Sequence, residues 1–293
     1  MTAEIIDGKK VAADIKKELI PRIIRLQEKR VNPKLVAILV GDDPTSLSYL
    51  RSITRNCNDV GVLIDTTKLP GNITQKELLQ NIGELNHDSR VHGILLLLPL
   101  PGHLDALEAE STISPAKDVD GTNPISTGKL LRGEETFFPS TPQGVQELLV
   151  RSGHSPEGKH VVIIGRSNIV GKPLMGILVQ KQNGANATVT LCHTGTKDLA
   201  KITQQADILV AALGKARAIT ANMIKNGTVV IDVGVNEIKD IATGKSILVG
   251  DVDFEVVKEK ASAITPVPGG TGPVTSVMLI ANIIKAAEKL SGN

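Results

Sequence analysis

The sequence predicts a two-domain α/β protein with mostly parallel sheets, and two patterns carry this prediction. In the first half, apolar runs such as 35–40 alternate with segments of helical spacing, which is the βαβα order of a parallel α/β domain. In the second half, the apolar run 160–164 stops at Gly165, and helical spacing then resumes over 170–178. A strand, a glycine turn and a helix begin a dinucleotide-binding unit. We therefore expect a Rossmann-like domain behind an N-terminal α/β domain.

Hydrophobic periodicity defines the elements of the N-terminal half. The expected strands and helices are, in chain order, helix 9–29, strand 35–40, helix 46–60, strand 63–69, helix 76–85 and strand 93–98. The stretch 115–142 is less regular, and a helix is expected at 143–150. We place a domain boundary near residue 140.

The second half repeats the alternation of strands and helices. Strands are expected at 160–164, 187–191, 208–212 and 229–233. The segment 264–273 is rich in proline and glycine, which predicts a rigid loop. The apolar spacing over 274–290 predicts a final helix.

Composition excludes several classes of function. The chain has 293 residues, a net charge of +2, no Trp and one Tyr, so neither a nucleic-acid surface nor a membrane surface is indicated. The longest apolar run, 94–98, is far too short to span a bilayer. The two cysteines, Cys57 and Cys192, lie far apart, which indicates neither a disulfide framework nor a metal site. These features predict a cytoplasmic protein without a metal.

The glycine turn is weak evidence when it is considered alone. Ser167 stands where the second glycine of G-x-G-x-x-G would be, so an ordinary βα turn explains the pair equally well. Gly171 and Lys172 also look like the end of an NTPase phosphate loop. That motif needs glycine at the position of Arg166 and a hydroxyl residue at the position of Pro173, which argues against this alternative.

Several separated motifs together resemble one enzyme family. They are Ser46–Tyr49, Leu98–Pro101, Lys117–Gly121, Gly165–Pro173, Asp232–Gly234 and Thr265–Gly270. In this order they resemble the methylenetetrahydrofolate dehydrogenase/methenyltetrahydrofolate cyclohydrolase family (FolD-type), over about residues 4–290. The resemblance implies two α/β domains with an active site in the cleft between them, and a homodimer. It also implies that the last helix returns to the N-terminal domain, so that residues 1–140 with 274–293 form one domain and 141–273 form the other. Family members oxidise 5,10-methylenetetrahydrofolate with a nicotinamide cofactor, and many hydrolyse the methenyl product to 10-formyltetrahydrofolate.

The resemblance also implies site residues. The folate substrate would be bound by Tyr49, Leu98, Asp120, Pro268, Gly269 and Gly270, of which Tyr49 and Asp120 are also the catalytic candidates. The cofactor would be bound by Gly165, Arg166, Ser167, Val170, Gly171, Thr194 and Val235. A carboxylate suits the pterin because its oxygens can accept two N–H bonds from the amide and amine edge.

The residues at the end of the second strand of the cofactor domain favour NADP over NAD. NAD enzymes of this architecture place an acid there for the ribose 2′-hydroxyl, and here no acid occurs before Asp198. Arg166 lies in the glycine turn, where it can pair with a 2′-phosphate. The resemblance adds Thr194 as a second contact to that phosphate. We therefore expect NADP.

Two polar positions of the family pattern are aliphatic in this chain. The position of the catalytic lysine, four residues after Tyr49, holds Ile53, and the glutamine before the Leu-Pro-Leu-Pro motif is replaced by Leu97. Hydrolysis needs a placed acid–base group, whereas hydride transfer needs mainly alignment. The sequence therefore favours an NADP-dependent dehydrogenase with weak or absent cyclohydrolase activity. A complete bifunctional enzyme and a catalytically silent folate- or nucleotide-binding protein are the alternatives.

Overall fold

A computed structural model describes residues 2–239 and 244–292 of the chain. The chain divides into two compact units. The three-strand unit comprises Asp14–Ser140 and Ser276–Asn293, and the six-strand unit comprises Met1–Ala13 and Thr141–Thr275. Within the described residues, no helix is long and apolar enough to cross a membrane.

The elements alternate along the chain as the periodicity predicts. The strands are β1 (Glu4–Ile5), β2 (Lys34–Val40), β3 (Leu63–Leu69), β4 (Gly93–Leu96), β5 (His160–Ile164), β6 (Thr188–Cys192), β7 (Ile208–Ala211), β8 (Val229–Asp232), β9 (Asn236–Lys239), β10 (Ser246–Val249) and β11 (Ala263–Ile264). The helices are α1 (Gly8–Glu28), α2 (Pro44–Val60), α3 (Gln75–His87), α4 (Ala106–Thr112), α5 (Pro124–Arg132), α6 (Ser140–Arg151), α7 (Gly171–Leu178), α8 (Leu199–Thr203), α9 (Phe254–Val257) and α10 (Thr271–Leu290).

The three-strand unit is built on a parallel sheet in the order β3-β2-β4. β2 and β4 are almost wholly buried, while β3 alternates between exposed and half-buried residues, as an edge strand does. Helix α2 begins two residues earlier than its periodicity predicts, because the Asp43 carboxylate accepts a 2.8 Å bond from the Ser46 amide and Pro44 fits the first turn. It ends at Gly61, whose left-handed backbone closes the last turn.

The six-strand unit contains a parallel sheet in the order β1-β11-β8-β7-β5-β6. Its central strands β5, β7 and β8 are buried, as their apolar runs predict. β1 pairs with β11, so the first residues of the chain join this unit and not the domain expected from the sequence. Two residues are too few for periodicity to reveal a strand.

Other elements also differ from the expectation. The stretch 115–142 contains α5, whose N-terminus is capped by the Asn123 side chain, and an antiparallel β9–β10 pair follows β8. Helices α6 and α10 begin three residues before the expected starts. Pro142 and Pro273 lie in their first turns, where a missing N–H costs nothing. β4 ends at Leu96 and not at Leu98, since the chain turns into Pro99.

Helix α10 holds the chain that follows β4 within the three-strand unit. The buried Asn282 side chain donates through Nδ2 to the carbonyl of Val119 at 2.8 Å and to the carbonyl of Phe138 at 2.9 Å. These two carbonyls come from segments that flank α5. One amide group therefore fixes both segments to the same helix.

We expect Asn282→Ala to lower the free energy of unfolding by about 2–3 kcal/mol, because two buried carbonyls lose their donor. The measurement is urea denaturation followed by circular dichroism. Asn81→Ala is the matched control: its amide bonds the Glu77 carbonyl at 2.8 Å on an exposed helix face, and the same substitution there should cost less than about 0.5 kcal/mol. Equal losses for the two variants would contradict this account.

Candidate active site

Tyr49 and Ile53 lie one turn apart on α2. Tyr49 is half-buried, and its pKa is raised by burial and, to a lesser extent, by the charges of Asp120 and Cys57. Ile53 has only 1% of its surface exposed and belongs to the core. Tyr49 therefore lies close enough to Asp120 for that charge to affect its pKa, while Ile53, where the family pattern has a lysine, offers neither a charge nor a hydrogen bond.

The segment after β4 is tied to the start of α2. The Ser46 hydroxyl donates to the Leu98 carbonyl at 3.0 Å. Leu97 is 2% exposed and Leu98 is 38% exposed, so Leu98 presents its side chain at the surface of the unit, while Leu97 packs inward. Leu97 occupies the family's glutamine position, and it extends the apolar character of Ile53.

Asp120 stands in a turn that neighbouring groups hold rigidly. The buried Asp118 carboxylate accepts backbone bonds from Thr122 at 3.1 Å and from Asn123 at 3.0 Å. Gly121 has a φ of +65°, and a Cβ there would come within 2.8 Å of the Phe137 carbonyl oxygen. Only glycine fits this position, so the turn aims the Asp120 carboxyl in one direction.

The Asp120 carboxyl has few donors of its own. Ser140 donates its hydroxyl to Asp120 Oδ1 at 3.2 Å. Burial first, and then the charges of Asp118 and Glu110, raise the pKa of Asp120 to about 7 against the opposing Ser140 bonds. A half-buried carboxyl with one weak partner is suited to accept N–H bonds from a ligand.

In the glycine turn of the six-strand unit, backbone segments lie unusually close to one another. Gly165 has a φ of +132°, and a Cβ on it would lie 2.1 Å from the Ala212 carbonyl oxygen at the end of β7. A Cβ on Gly171 would lie 1.8 Å from the Gly165 carbonyl oxygen. Both glycines are therefore required where β5 turns into α7, which is the geometry of a dinucleotide-binding turn.

The polar residues of this turn face outward. Arg166 and Ser167 are exposed, and the Ser167 hydroxyl accepts a 3.1 Å bond from the half-buried Val170 amide at the start of α7. The Arg166 guanidinium is therefore available to a phosphate. This placement agrees with the role expected of Arg166, although it does not test that role.

The end of β6 carries the other expected phosphate contact. Thr194 is exposed in a turn in which the His193 amide donates to the Thr196 hydroxyl at 2.8 Å. No carboxylate stands in this turn before Asp198. Val235, beyond β8, is 61% exposed. Both residues lie after carboxyl ends of parallel strands, the edge at which this architecture binds nucleotides.

The remaining expected residues lie immediately before α10. Pro268 is exposed, Gly269 is half-buried and Gly270 is buried. The Gly270 amide donates to the Pro266 carbonyl at 2.8 Å. Gly8, the first residue of α1, leaves room for the Gly270 carbonyl, because a Cβ on Gly8 would lie 1.7 Å from that oxygen. The sequence alone carried no sign of this contact.

Two buried aspartates that sequence reasoning passed over hold the loops after β7 and β8. Asp251 accepts backbone bonds from Gly214 at 2.9 Å and Lys215 at 2.8 Å. Asp232 accepts bonds from Gly234 at 2.9 Å and Val252 at 2.8 Å. Burial raises the pKa of Asp232 to about 6, against the lowering effect of these donors. The Asp-Val-Gly motif containing Asp232 was the only available sign.

The described residues contain no group of three or more His, Cys, Asp and Glu side chains arranged to hold a metal ion. Cys57 is buried, and its pKa is raised to about 12 by that burial, so it remains a neutral thiol at physiological pH.

Sequence models of one family match most of the chain. The catalytic-domain model of the tetrahydrofolate dehydrogenase/cyclohydrolase family matches residues 6–120, and its NAD(P)-binding-domain model matches residues 139–291. A relative from Dehalococcoides mccartyi, named bifunctional protein FolD, is 52% identical over 100% of this chain and 99% of its own length.

Solved structures show the same similarity. A bifunctional FolD methylenetetrahydrofolate dehydrogenase/cyclohydrolase from Campylobacter jejuni has a TM-score of 0.92 and 45% identity, covering 98% of this chain and 99% of its own. The Trypanosoma brucei dehydrogenase-cyclohydrolase, complexed with NADP cofactor and an inhibitor, has a TM-score of 0.91 and 37% identity, covering 99% and 98%. The two-domain α/β fold expected from the sequence is thereby confirmed.

We expect the raised pKa of Asp120 to appear as a pH-dependent loss of stability. The unfolded chain ionises Asp120 near 3.8, whereas the folded protein retains the proton up to about 7. The folded state is therefore progressively disfavoured as pH rises through this window, and the loss is complete above it.

Asp120→Asn, which cannot ionise, should gain stability relative to the unmodified protein between about pH 4 and pH 7. The gain should reach at least about 1 kcal/mol, since one pKa unit is worth roughly 1.4 kcal/mol before solvent screening. Urea denaturation of both proteins at about pH 4.5, 6 and 8 measures it. Parallel pH profiles would show that Asp120 titrates normally.

Proposed function

Because the chain belongs to the tetrahydrofolate dehydrogenase/cyclohydrolase family, we propose that it oxidises 5,10-methylenetetrahydrofolate with NADP and hydrolyses the methenyl product to 10-formyltetrahydrofolate. The observation that carries the proposal is the match of both family domains, together with Tyr49 beside Asp120 and the tight glycine turn at Gly165. The NADP part is supported by the cofactor of the Trypanosoma brucei relative and by the exposed Arg166.

In the dehydrogenase step, the residues of this chain bind and orient. When bound, NADP would supply the nicotinamide ring as the acceptor for a hydride from the methylene carbon of the folate. Asp120 accepts N–H bonds from the pterin, and the Tyr49 ring packs along the aminobenzoate. Ile53 and Leu97 are buried and contribute no polar group, which is compatible with hydride transfer because alignment supplies much of its rate.

In the hydrolytic step, water adds to the methenyl carbon and loses a proton, and one carbon–nitrogen bond breaks as the ring nitrogen takes up a proton. The relatives named bifunctional protein FolD, about half identical to this chain, support the retention of this step. A hydroxyl or carboxyl would then have to exchange the proton, and Tyr49 and Asp120, which interact electrostatically, are the candidates for this role. The raised pKa of Tyr49 keeps its hydroxyl protonated, as a donor.

A second candidate function follows from one observation. Ile53 and Leu97 are 1% and 2% exposed, so neither they nor water around them can replace an ammonium and an amide. On this observation the chain is a dehydrogenase whose cyclohydrolase activity is weak or lost. The relatives favour the first candidate, and the chemistry at these two positions favours the second.

Two further expectations extend this proposal. The first is that the protein forms a homodimer, which size-exclusion chromatography with light scattering would establish. The second is that it acts in the cytoplasm, on small-molecule folates and without nucleic acid or membrane partners.

We expect Arg166→Ala to weaken NADP binding about tenfold or more and to leave NAD binding nearly unchanged, because a charge-assisted bond to the 2′-phosphate is worth roughly 1.5–3 kcal/mol. Titration with each cofactor measures the effect. Lys181→Ala, which removes an exposed charge beyond the end of α7, is the control and should change neither affinity. Equal affinity of the unmodified protein for the two cofactors would refute the assignment.

Methenyltetrahydrofolate decay decides between the two candidate functions. If hydrolysis is retained, the unmodified protein should accelerate decay by ~10²–10⁴-fold over buffer, the usual contribution of a placed acid–base group. Tyr49→Phe should then remove most of that acceleration. Decay at the buffer rate, alongside normal NADP-linked oxidation of methylenetetrahydrofolate, would establish the monofunctional candidate.

The double substitution Ile53→Lys with Leu97→Gln is the complementary test of the monofunctional candidate. If the unmodified protein is monofunctional, the double variant should gain hydrolysis of methenyltetrahydrofolate, provided that circular dichroism shows an unchanged fold. Absence of both activities from the unmodified protein would instead indicate a silent binding protein.

A further inference from the structure

A pocket of about 440 Å³ opens at the amino ends of the strands in the three-strand unit. Lys34 and Leu63 are the first residues of β2 and β3, and His92 directly precedes β4. The other lining residues come from the chain before β2, from the turn after α3 and from the end of α10; they are Arg30, Val31, Asn32, Ser89, Arg90, Leu290 and Ser291.

This pocket is separate from the candidate active site of the same unit. His92 and Leu98 lie beyond opposite ends of β4. A strand rises about 3.3 Å per residue, so β4 holds these two residues roughly 15 Å or more apart. None of the residues that line the pocket is among those expected to bind folate or cofactor.

His92 presents a proton donor that has no partner in the protein. Only 7% of its surface is exposed. Its Nδ1 accepts a 3.2 Å bond from the Lys34 amide, so the ring carries its proton on Nε2. Nε2 bonds to no described residue, although His92 lines the pocket. Burial and the charge of Lys117 lower the pKa of His92, which keeps the ring neutral near pH 7. A donor on a buried ring at the wall of a cavity indicates a ligand that accepts a hydrogen bond.

The lining of the pocket is positively charged. The Arg30 guanidinium makes no hydrogen bond or ion pair with any described residue. Lys34 and Arg90 are paired with Asp65 at 2.6 Å and Asp88 at 2.8 Å, and neither acid lines the pocket. The described lining residues therefore include three cations and no carboxylate.

The helix ends beside the pocket present few free acceptors. The Ser291 hydroxyl and amide both donate to the Ala287 carbonyl of α10, at 2.7 Å and 3.1 Å. The amides of Lys29 and Val31 both donate to the Leu26 carbonyl of α1, at 3.0 Å and 2.9 Å. Carbonyls of a last turn oppose a bound anion, and these bonds reduce that opposition.

We propose that this pocket binds a small organic phosphate, a phosphate monoester with an apolar body. Three terminal oxygens can accept at the same time from His92 Nε2, from the Arg30 fork and from the N–H groups that Asp88 leaves free on Arg90, whereas a carboxylate offers two oxygens in one plane. Leu63 and Leu290 are 51% and 44% exposed, and they supply apolar surface for the body of the ligand.

Phenyl phosphate is the probe for this site. Its binding is measured by isothermal titration calorimetry in a buffer free of phosphate, at saturating NADP, so that the cofactor site is filled. We expect a dissociation constant on the order of 0.1–1 mM for a ligand of this size. Inorganic phosphate lacks the apolar body and benzoate lacks the third oxygen, so each should bind about tenfold more weakly or worse.

His92→Asn should weaken phenyl phosphate binding about tenfold or more, because its amide oxygen can still accept from the Lys34 amide while the donor at Nε2 is lost. Arg30→Gln should weaken binding about three- to fivefold, as expected for one exposed charge pair. Arg30 is exposed, so this variant tests the site even if His92→Asn does not fold. Arg25→Gln removes an exposed arginine of α1 that lines a different groove, and it should leave the affinity unchanged.

The outcomes decide both the position and the chemistry of the site. Weaker binding by the two pocket variants, with Arg25→Gln unaffected, supports the assignment. Unchanged affinity in Arg30→Gln and in a folded His92→Asn would show that the phosphate binds elsewhere. Absence of binding up to about 10 mM phenyl phosphate would overturn the proposal, and benzoate binding as tightly as phenyl phosphate would contradict the choice of a phosphate.

Discussion

Buried carboxylates that accept backbone N–H bonds hold the loops at the carboxyl ends of the parallel strands. In the six-strand unit, Asp251 receives amides from the loop after β7, and its own amide donates to Asp232 at 3.0 Å. Asp232 in turn receives amides from Gly234 and Val252. Backbone N–H groups in loops lack the partners that helices and strands provide. Each carboxylate accepts bonds from several of these groups and thereby fixes the conformation of its loop. The glycine turn at Gly165 borders the same edge of the sheet.

The three-strand unit uses the same device and adds a contrast. Asp118 is buried and satisfied by the amides of Thr122 and Asn123. Among the described residues, Ser140 is the one hydrogen-bond partner of the Asp120 carboxyl, two residues later. The first carboxylate therefore builds the turn, and the second is left with capacity for a ligand. The pKa of Asp120 is raised to about 7 because burial outweighs the lowering effect of its hydrogen-bond donor. Such raised pKa values are common among carboxyl groups at functional sites.

The sequence predicted the long periodic elements correctly. It did not reveal very short strands, the first residues of some helices, or contacts between residues far apart in the chain. The apolar runs that form β2, β5 and β7 could be recognised as strands because both faces of these strands are buried. β1 escaped because two residues show no period, and the starts of α6 and α10 were hidden by prolines that a first turn tolerates. The proximity of Tyr49 and Asp120 follows from no spacing, since the fold joins them across seventy intervening residues. The family resemblance, rather than the residues alone, pointed to that pair.

Helix α2 shows why substitution at the lysine position need not disturb the rest of the site. Its core face contains Leu50, Ile53 and Cys57, each buried, so an aliphatic residue at 53 continues an existing apolar stripe and removes the cost of placing an ammonium there. Tyr49 lies on the edge of that stripe, and its position depends on the same packing. Binding and alignment of a folate therefore rely on the core of the helix, whereas proton transfer relies on individual polar groups. A change at Ile53 therefore affects proton transfer and leaves the binding and alignment of a folate intact. In this way one fold can support hydride transfer with or without hydrolysis.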